Sequence, residues 1–354
     1  MKSLKIGNRI INENSKPYFI AEIGVNHEGS VSLAKKMIRQ AKSAGMNAVK
    51  FQTYKAENLV IKKSPAYWDL KKESTRSQFE LFKKLDKFKR ENYLELYEYC
   101  KKIKIDFLST PFDINSIIWL KKIMPAIKIA SADINNYPLL KQIGLTKKKI
   151  FLSTGASDIG EIKYALKILN KFGVRNSNIV IMHCILNYPT KDIDANLKMI
   201  EIISKEFPNN IIGYSDHTLP SSDISPCSIA YLLGARVIEK HFTFNKNIKG
   251  NDHYHSMNKL DARKILNEIE RIRLLLGNAL IKNCIKSEKK SKKFARRSIV
   301  TKVDINKGDN FSSFNLITKR PGNGLSPIYW PKIIGKKSRN KIKADVQIKL
   351  NDIN

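Results

Sequence analysis

The chain reads as a (β/α)8 barrel followed by a small, mostly β domain. Three observations predict it. Eight short apolar, β-branched runs alternate with longer helical patterns over roughly the first 280 residues, near the usual length of such a barrel. The runs are almost continuously apolar, as parallel strands covered on both faces must be. All six histidines fall just after such runs or in the loop beyond one. In a barrel, that is where the C-terminal strand ends meet and where sites are built.

The first residues, Lys5–Ile11, predict a hairpin that closes the barrel bottom. The predicted strands are Tyr18–Gly24, Ala48–Gln52, Asp106–Ser109, Ala126–Ala130, Ile150–Ser153, Ile179–His183, Ile211–Ser215 and Val237–Phe242. Helical periodicity marks Ser32–Ala44, Gln78–Ile103, Ile159–Phe172, Ala195–Phe207, Ser222–Leu233 and Asp261–Leu276. An open doubly wound sheet is the alternative, but no GxGxxG follows the first strand. The barrel domain is expected over 1–284 and a solvated basic linker over 285–297, which holds the run KSEKKSKKFARR. A small domain is expected over 298–354, with strands in SIVTKVDI, NLITKRPGNG and DVQIKLND and a turn at NKGD. A unit that small is marginal alone and is expected to dock on a barrel, its own or a partner's.

The formal charge of +33 raises the question of nucleic acid or a membrane surface. The lysines are spread over all the helices rather than gathered in one stripe, and no zinc-finger, RRM, KH or basic-zipper pattern occurs. A lysine-rich composition accounts for the charge, and neither nucleic acid nor membrane is expected as a partner. The four cysteines show no CxxC spacing, and no stretch approaches 18 apolar residues, so a reducing, cytoplasmic setting is expected.

Two lysines, Lys50 in AVKFQT and Lys128 in AIKIAS, point inward from strands. A lysine inside a barrel is costly unless it meets an anion. Either it pairs with a strand carboxylate such as Glu22 or it serves a phosphate or carboxylate ligand. Hydroxyls at strand ends, Thr110, Ser131, Ser153 and Ser215, favour the ligand, because several donors can converge on phosphate oxygens. His217 and His241 end neighbouring strands about 4.8 Å apart. Both can therefore reach one metal at about 2.1 Å, unless they are core histidines bonded to backbone. Nitrogen with oxygen ligation suits Mn²⁺, with Mg²⁺ or Co²⁺ as alternatives. Asp216 and Glu239 are candidate further ligands or supports. Glu22, interior and near lysines and metal, is a candidate general acid or base, or a structural ion-pair partner.

The segments AEIGVNHEGS, VKFQT, FLSTPF, KIASADINNYPL, LSTGAS, HC…NYP, GYSDHT, EKHFT and KRPGNG occur in this order. Together they resemble the bacterial sialic acid (N-acetylneuraminate) synthases, which are phosphoenolpyruvate-dependent nonulosonate synthases. The resemblance spans nearly the whole chain, including a tail similar to the family's antifreeze-like (SAF) domain. It implies a domain-swapped homodimer that condenses phosphoenolpyruvate with an open-chain N-acylated amino sugar of the N-acetylmannosamine type. By motif match, Lys50, Thr110, Lys128, Ser131, Ser153 and Ser215 would hold phosphoenolpyruvate. His217 and His241 would bind the metal and Glu22 would be the catalytic carboxylate. Gln52, Tyr188 and Asp252 would contact the sugar, and Arg320 would read its N-acetyl group from the partner subunit. Some positions depart from the family pattern. Leu186 stands where an Asn is usual, with Asn187 next, and Asp133 replaces a usual Glu. The loop Tyr54–Ser77 has no residue-by-residue match, and NDHYHS brings His253 and His255 to the sugar end. These departures leave legionaminic and pseudaminic acid synthases open as readings. Outside the family, a lysine Schiff-base aldolase, a non-catalytic sugar-binding protein and a nucleic-acid binder are the rivals.

Overall fold

A computed structural model of the chain describes residues 2–221, 223–250 and 252–354. The chain folds as two units, Met1–Leu276 and Gly277–Asn354. In the first, β1 (Ser3–Ile6) and β2 (Arg9–Asn12) form an antiparallel hairpin. Next come β3 (Tyr18–Gly24), α1 (Val31–Ala44), β4 (Ala48–Thr53), α2 (Ala56–Leu59), α3 (Gln78–Leu85), α4 (Arg90–Lys102), β5 (Asp106–Pro111) and α5 (Ile114–Ile123). They are followed by β6 (Ala126–Ile129), α6 (Tyr137–Leu145), β7 (Lys149–Ser153), α7 (Ile159–Lys171) and β8 (Ile179–Cys184). The unit ends with α8 (Met199–Glu206), β9 (Ile211–Asp216), α9 (Pro226–Leu232), β10 (Val237–His241) and α10 (Lys259–Leu276).

Among the described residues, eight parallel strands form one sheet in the order β5-β4-β3-β10-β9-β8-β7-β6. The two end strands, β5 and β6, pack side by side, so the sheet curls into a TIM-like barrel. All eight predicted strands are present, with ends shifted by one residue at most except in β5, which runs two residues further than predicted, to Pro111.

Side chains alternate across the barrel wall. Phe19, Ala21 and Ile23 of β3 face the helices and join the large outer core, whereas Tyr18 and Ile20 face inward. At the bottom of the barrel the inward residues are apolar: Ile20, Ala48, Leu108, Ala126, Phe151, Val180, Ile211 and Val237. Leu4, Ile6 and Ile11 of the hairpin pack into this cluster and close the floor. Toward the C-terminal strand ends the same inward registers carry Glu22, Lys50, Thr110, Lys128, Ser153, Ser215, Glu239 and His241, all buried. A period of two places those groups inside.

The helices depart from the sequence pattern in three places. The stretch Gln78–Ile103 is two helices, because Asp86 between them accepts from Lys55 Nζ at 2.6 Å and Phe88 is drawn inward to stack on His27. The stretch from Ala195 becomes helical only at Met199, since the Ala195 carbonyl bonds the ring of buried His183 and Asn196 takes φ +43°. The helix predicted from Ser222, which lies outside the described residues, starts at Pro226, capped by the Ser225 side chain and with proline in its first turn.

The second unit has its own apolar core of Ile299, Ile305, Phe311, Leu316, Leu325, Ile333, Ile342 and Ile348. Antiparallel β11 (Ser298–Thr301) and β12 (Leu316–Lys319) supply its ladder. The segment DVQIKLND joins through a single bridge, Val300 to Gln347, rather than as a full strand. Within the stretch expected to be a solvated linker, α11 (Lys289–Ala295) is a helix. The backbone of Gly322, in the loop KRPGNG, donates to the Lys293 carbonyl at 2.8 Å, so this basic run is part of the small unit's structure.

Candidate active site

Four charged groups meet inside the barrel near the C-terminal strand ends. In register, β10 sets His241 beside Glu22 of β3, and Glu22 beside Lys50 of β4. Lys50 Nζ lies 2.6 Å from Glu22 Oε2 and 3.7 Å from Glu239 Oε1, and donates to Thr110 Oγ1 at 2.8 Å. Lys128 Nζ lies 3.9 Å from the same Glu239 oxygen and donates to the Ile129 carbonyl at 3.1 Å. Ser215 Oγ donates to Glu239 at 3.2 Å, and Gln52 Nε2 to Glu22 Oε1 at 3.2 Å. Two lysines thus face two carboxylates, and the internal ion pair of Lys50 with Glu22, which the sequence offered as the alternative to an anion site, is present.

Burial and neighbours push these groups apart. Burial raises the Glu22 carboxyl against the pull of Lys50, and the nearby Glu239 adds to the rise. Glu239 is held down by both lysines although burial opposes it. Burial lowers Lys128, while Lys50 is raised because its two carboxylates outweigh burial. An elevated carboxyl beside a lysine suits proton transfer, and an arriving anion would favour the charged form of Lys128.

Ser131 and Ser153 sit on the Lys128 side of this cluster. Ser131 Oγ accepts from Gly155 N at 2.9 Å, and buried Ser153 Oγ has no hydrogen-bond partner among the described residues. Two glycines keep the site open. Gly24 takes φ +55° at an irregularity in β3, and a Cβ there would press on Gln52 and Glu22 at 3.2 and 3.3 Å. A Cβ at Gly155 would fall 2.9 Å from Ser131 Oγ.

Beside this cluster, three imidazoles converge. The rings of His217 and His241 are 5.5 Å apart between centroids, and those of His241 and His255 are 5.0 Å apart. Tyr188 packs on all three, closest to His217 at 4.1 Å. His217 Nδ1 bonds the Ile185 carbonyl at 2.7 Å, which leaves Nε2 as the electron-pair donor. Burial, and then His241, hold His217 well below the ordinary histidine range, so it is neutral. Asp252 Oδ2 lies 3.3 Å from His241 Nδ1. This donor set fits a divalent ion: His217 presents an imidazole nitrogen, and the Asp252 carboxylate faces the ring of buried His241 and raises it against the effect of burial, so an ion would take the place of a proton between them.

A model of the NeuB family matches residues 37–280, and a SAF domain model matches residues 296–354. The chain belongs to the NeuB family. It is 41% identical to the N,N'-diacetyllegionaminic acid synthase of Campylobacter jejuni, over 94% of this chain and 99% of that protein. It is 35% identical to the enzyme of the same name from Legionella pneumophila, over 92% of each. Its fold is similar to the N-acetylneuraminic acid synthetase of Leptospira borgpetersenii, solved in complex with citrate, with a TM-score of 0.71 and 33% identity over 82% of this chain and 94% of that one.

Not every strand-end histidine of this NeuB-family chain joins the site. His183 faces the helix layer and bonds the Ala195 carbonyl at 2.8 Å. His27 stacks on Phe88 at 3.9 Å, and its Nδ1 accepts from Gly29 N. His253 ties Thr243 to Glu28, at 2.7 and 2.8 Å. Asp216, a candidate support for the metal, points to the outer face instead. There it pairs with Lys240 at 2.6 Å and accepts from Tyr214, Thr218 and Cys227. Glu239 serves the lysines. Parity alone could have separated these two, since Glu239 shares the face of His241 on β10 and Asp216 has the opposite parity to inward Ser215.

The departures from the family pattern are also placed. Asp133, in a tight turn after β6, accepts from Asn136 at 2.9 Å. Leu186 is partly exposed in the loop after β8. In the loop 54–77, Pro65 bridges Ser77 and Trp68 Nε1 donates to the Thr75 carbonyl. Arg320, in the second unit, is exposed in the loop after β12, whose Gly324 N donates to Ser298 Oγ at 2.9 Å. Among the described residues no helix is long and apolar enough to cross a membrane.

Proposed function

We propose that this chain condenses phosphoenolpyruvate with an open-chain N-acylated amino sugar to give a nonulosonic acid and phosphate. The observation that carries the reading is the junction of two clusters. The two-lysine, two-carboxylate cluster lies one strand register from a histidine set suited to a divalent ion. Lys50 and Lys128, with the hydroxyls of Thr110, Ser131, Ser153 and Ser215, bind the phosphoenolpyruvate anion. His217 and His241 hold the ion, taken as Mn²⁺ with Mg²⁺ or Co²⁺ as alternatives, which when bound polarises the sugar aldehyde as a Lewis acid.

The enol carbon of phosphoenolpyruvate bonds to the aldehyde carbon, and the aldehyde oxygen takes up a proton. Water then adds at the neighbouring carbon, and the carbon–oxygen bond to phosphate breaks. Glu22, raised by burial and hydrogen-bonded by Gln52, carries protons in these steps. Gln52, Tyr188 and Asp252 orient the sugar, and enclosure of both reactants supplies much of the rate. Arg320 of the partner subunit reads the N-acyl group in a domain-swapped homodimer. A cytoplasmic setting fits the four free thiols.

The acceptor is N-acetylmannosamine or a diacetylated relative of it. The second is favoured by the 41% and 35% identity to N,N'-diacetyllegionaminic acid synthases. Phosphate release from phosphoenolpyruvate with Mn²⁺ and a panel of mono- and diacetamido hexoses tests both, with EDTA and no-sugar controls. Release that needs both sugar and metal establishes the reaction and names the acceptor. No release with any sugar refutes the reading, and borohydride trapping with pyruvate would then point to the Schiff-base route.

A further inference from the structure

We propose that His255 is a third imidazole ligand of the divalent ion, beside His217 and His241 and with the Asp252 carboxylate, and that it shifts the site's preference from manganese toward cobalt, iron(II) or zinc. The proposal rests on the metal-dependent reading above and extends it to a residue which that reading does not use.

Geometry is the first ground. One ligand atom from each of His241, Asp252 and His255 lies within 4.8 Å of the others, close to what a single ion between them requires; His217 stands outside that trio, with its ring centroid 5.5 Å from that of His241. The second ground is an unmet need. His255 is 1% exposed, and neither of its ring nitrogens has a hydrogen-bond partner among the described residues. A buried polar group left so is costly, and native proteins seldom keep one without a reason. Asp252 Oδ1 lies 3.8 Å from its Nε2, beyond hydrogen-bond reach but within range for sharing an ion.

The local backbone supports both grounds. Residues His253–His255 form a 3₁₀ turn preceded by Asp252. In such a turn, residues three apart eclipse one another, so Asp252 and His255 project to the same side. His253, between them in the chain, turns away and is held at both nitrogens by Thr243 and Glu28. Asn26 Oδ1 accepts from Asp252 N at 3.3 Å, and Ser256 Oγ donates to the Asp252 carbonyl at 2.5 Å. The turn is therefore fixed before any ion arrives. Nitrogen-rich sites bind ions late in the divalent series more tightly than manganese, which is the basis of the predicted selectivity.

X-ray absorption on the full-length wild-type protein loaded with one equivalent of Co²⁺ counts its imidazole ligands. Three support the proposal, and two or fewer overturn it. Calorimetric titration of Co²⁺ and of Mn²⁺ into wild type, His255→Ala and His255→Asn supplies an independent readout. The expected result is at least a tenfold loss of Co²⁺ affinity in both variants and less than a threefold loss for Mn²⁺. Unchanged Co²⁺ affinity in a folded variant overturns the proposal. If the variants do not fold, the wild-type imidazole count decides alone. The two readings fail separately: three imidazoles without phosphate release refute only the proposed reaction, and phosphate release with two imidazoles refutes only the role of His255.

Discussion

Replacing Glu22 by glutamine removes one of the two negative charges that face Lys50 while keeping the side chain's shape. Taking one partner from a buried ion pair costs roughly 3–5 kcal/mol when the other charge is stranded. Lys50 is not stranded here, because Glu239 remains at 3.7 Å and Thr110 still accepts from its ammonium. The expected loss of stability is therefore smaller, about 2 kcal/mol, or a fall of roughly 4 °C in melting temperature. That is too little to unfold the protein at 25 °C. Turnover should suffer far more, since a positioned acid–base group contributes a factor of about 10²–10⁴, which is roughly 3–5.5 kcal/mol of barrier. Metal affinity should hold, because Glu22 is engaged by Lys50 and Gln52 rather than by an imidazole. The assays are phosphate release, calorimetric metal titration and thermal unfolding on the same preparation. Turnover within threefold of wild type would reduce Glu22 to an ion-pair partner. A parallel collapse of metal affinity would show it acting through neighbouring His241.

Lys240→Met should destabilise the barrel by roughly 3–5 kcal/mol in urea titration, because Asp216, fully buried and held down by Lys240 against the effect of burial, loses the lysine paired with it. Adding Asp216→Asn should recover part of that loss, and no recovery would argue against the pair as the cause. Burial pulls His27 down to about 4, so the folded protein keeps it neutral where the unfolded chain takes up a proton. Its contribution is full above about pH 6.5 and is lost as pH falls toward 4, amounting to about 2 kcal/mol by pH 5. Urea midpoints at pH 7.5 and 5 should therefore drop further for wild type than for His27→Phe, and equal drops would contradict this. Arg320→Ala should raise KM for the sugar more than for phosphoenolpyruvate, and equal effects on both would remove its assigned role.

The barrel was legible because its signal is local. Eight apolar runs bounded by polar loops, each long enough for one strand, leave few alternatives once a nucleotide-binding glycine loop is absent. Inward placement of Lys50, Lys128, Ser215 and His241 was likewise legible, since a period of two follows from the extended backbone itself. The helix breaks at Asp86 and Asn196 were not. Neither has a proline or glycine to announce it, and each is imposed by a partner from elsewhere, Lys55 in one case and His183 acting through Ala195 in the other. The small unit's third strand failed for a related reason, because a five-residue apolar alternation, Val346–Leu350, does not say whether its neighbour will pair along its whole length.

The sequence by itself determined which residue types stand at the strand ends and which face of the wall each occupies. That was enough to predict an anion site beside a metal site. Only the tertiary structure decided their partners: Lys50 with Glu22, Glu239 between the two lysines, Asp216 on the outer face with Lys240, and His255 rather than His183 or His27 among the converging imidazoles. The physical reason is one of range. Side-chain direction along a strand is set by the neighbouring peptide units. Which groups meet across a barrel depends on how eight strands register and close, and on the path of loops such as the turn 252–256, which no short-range pattern records.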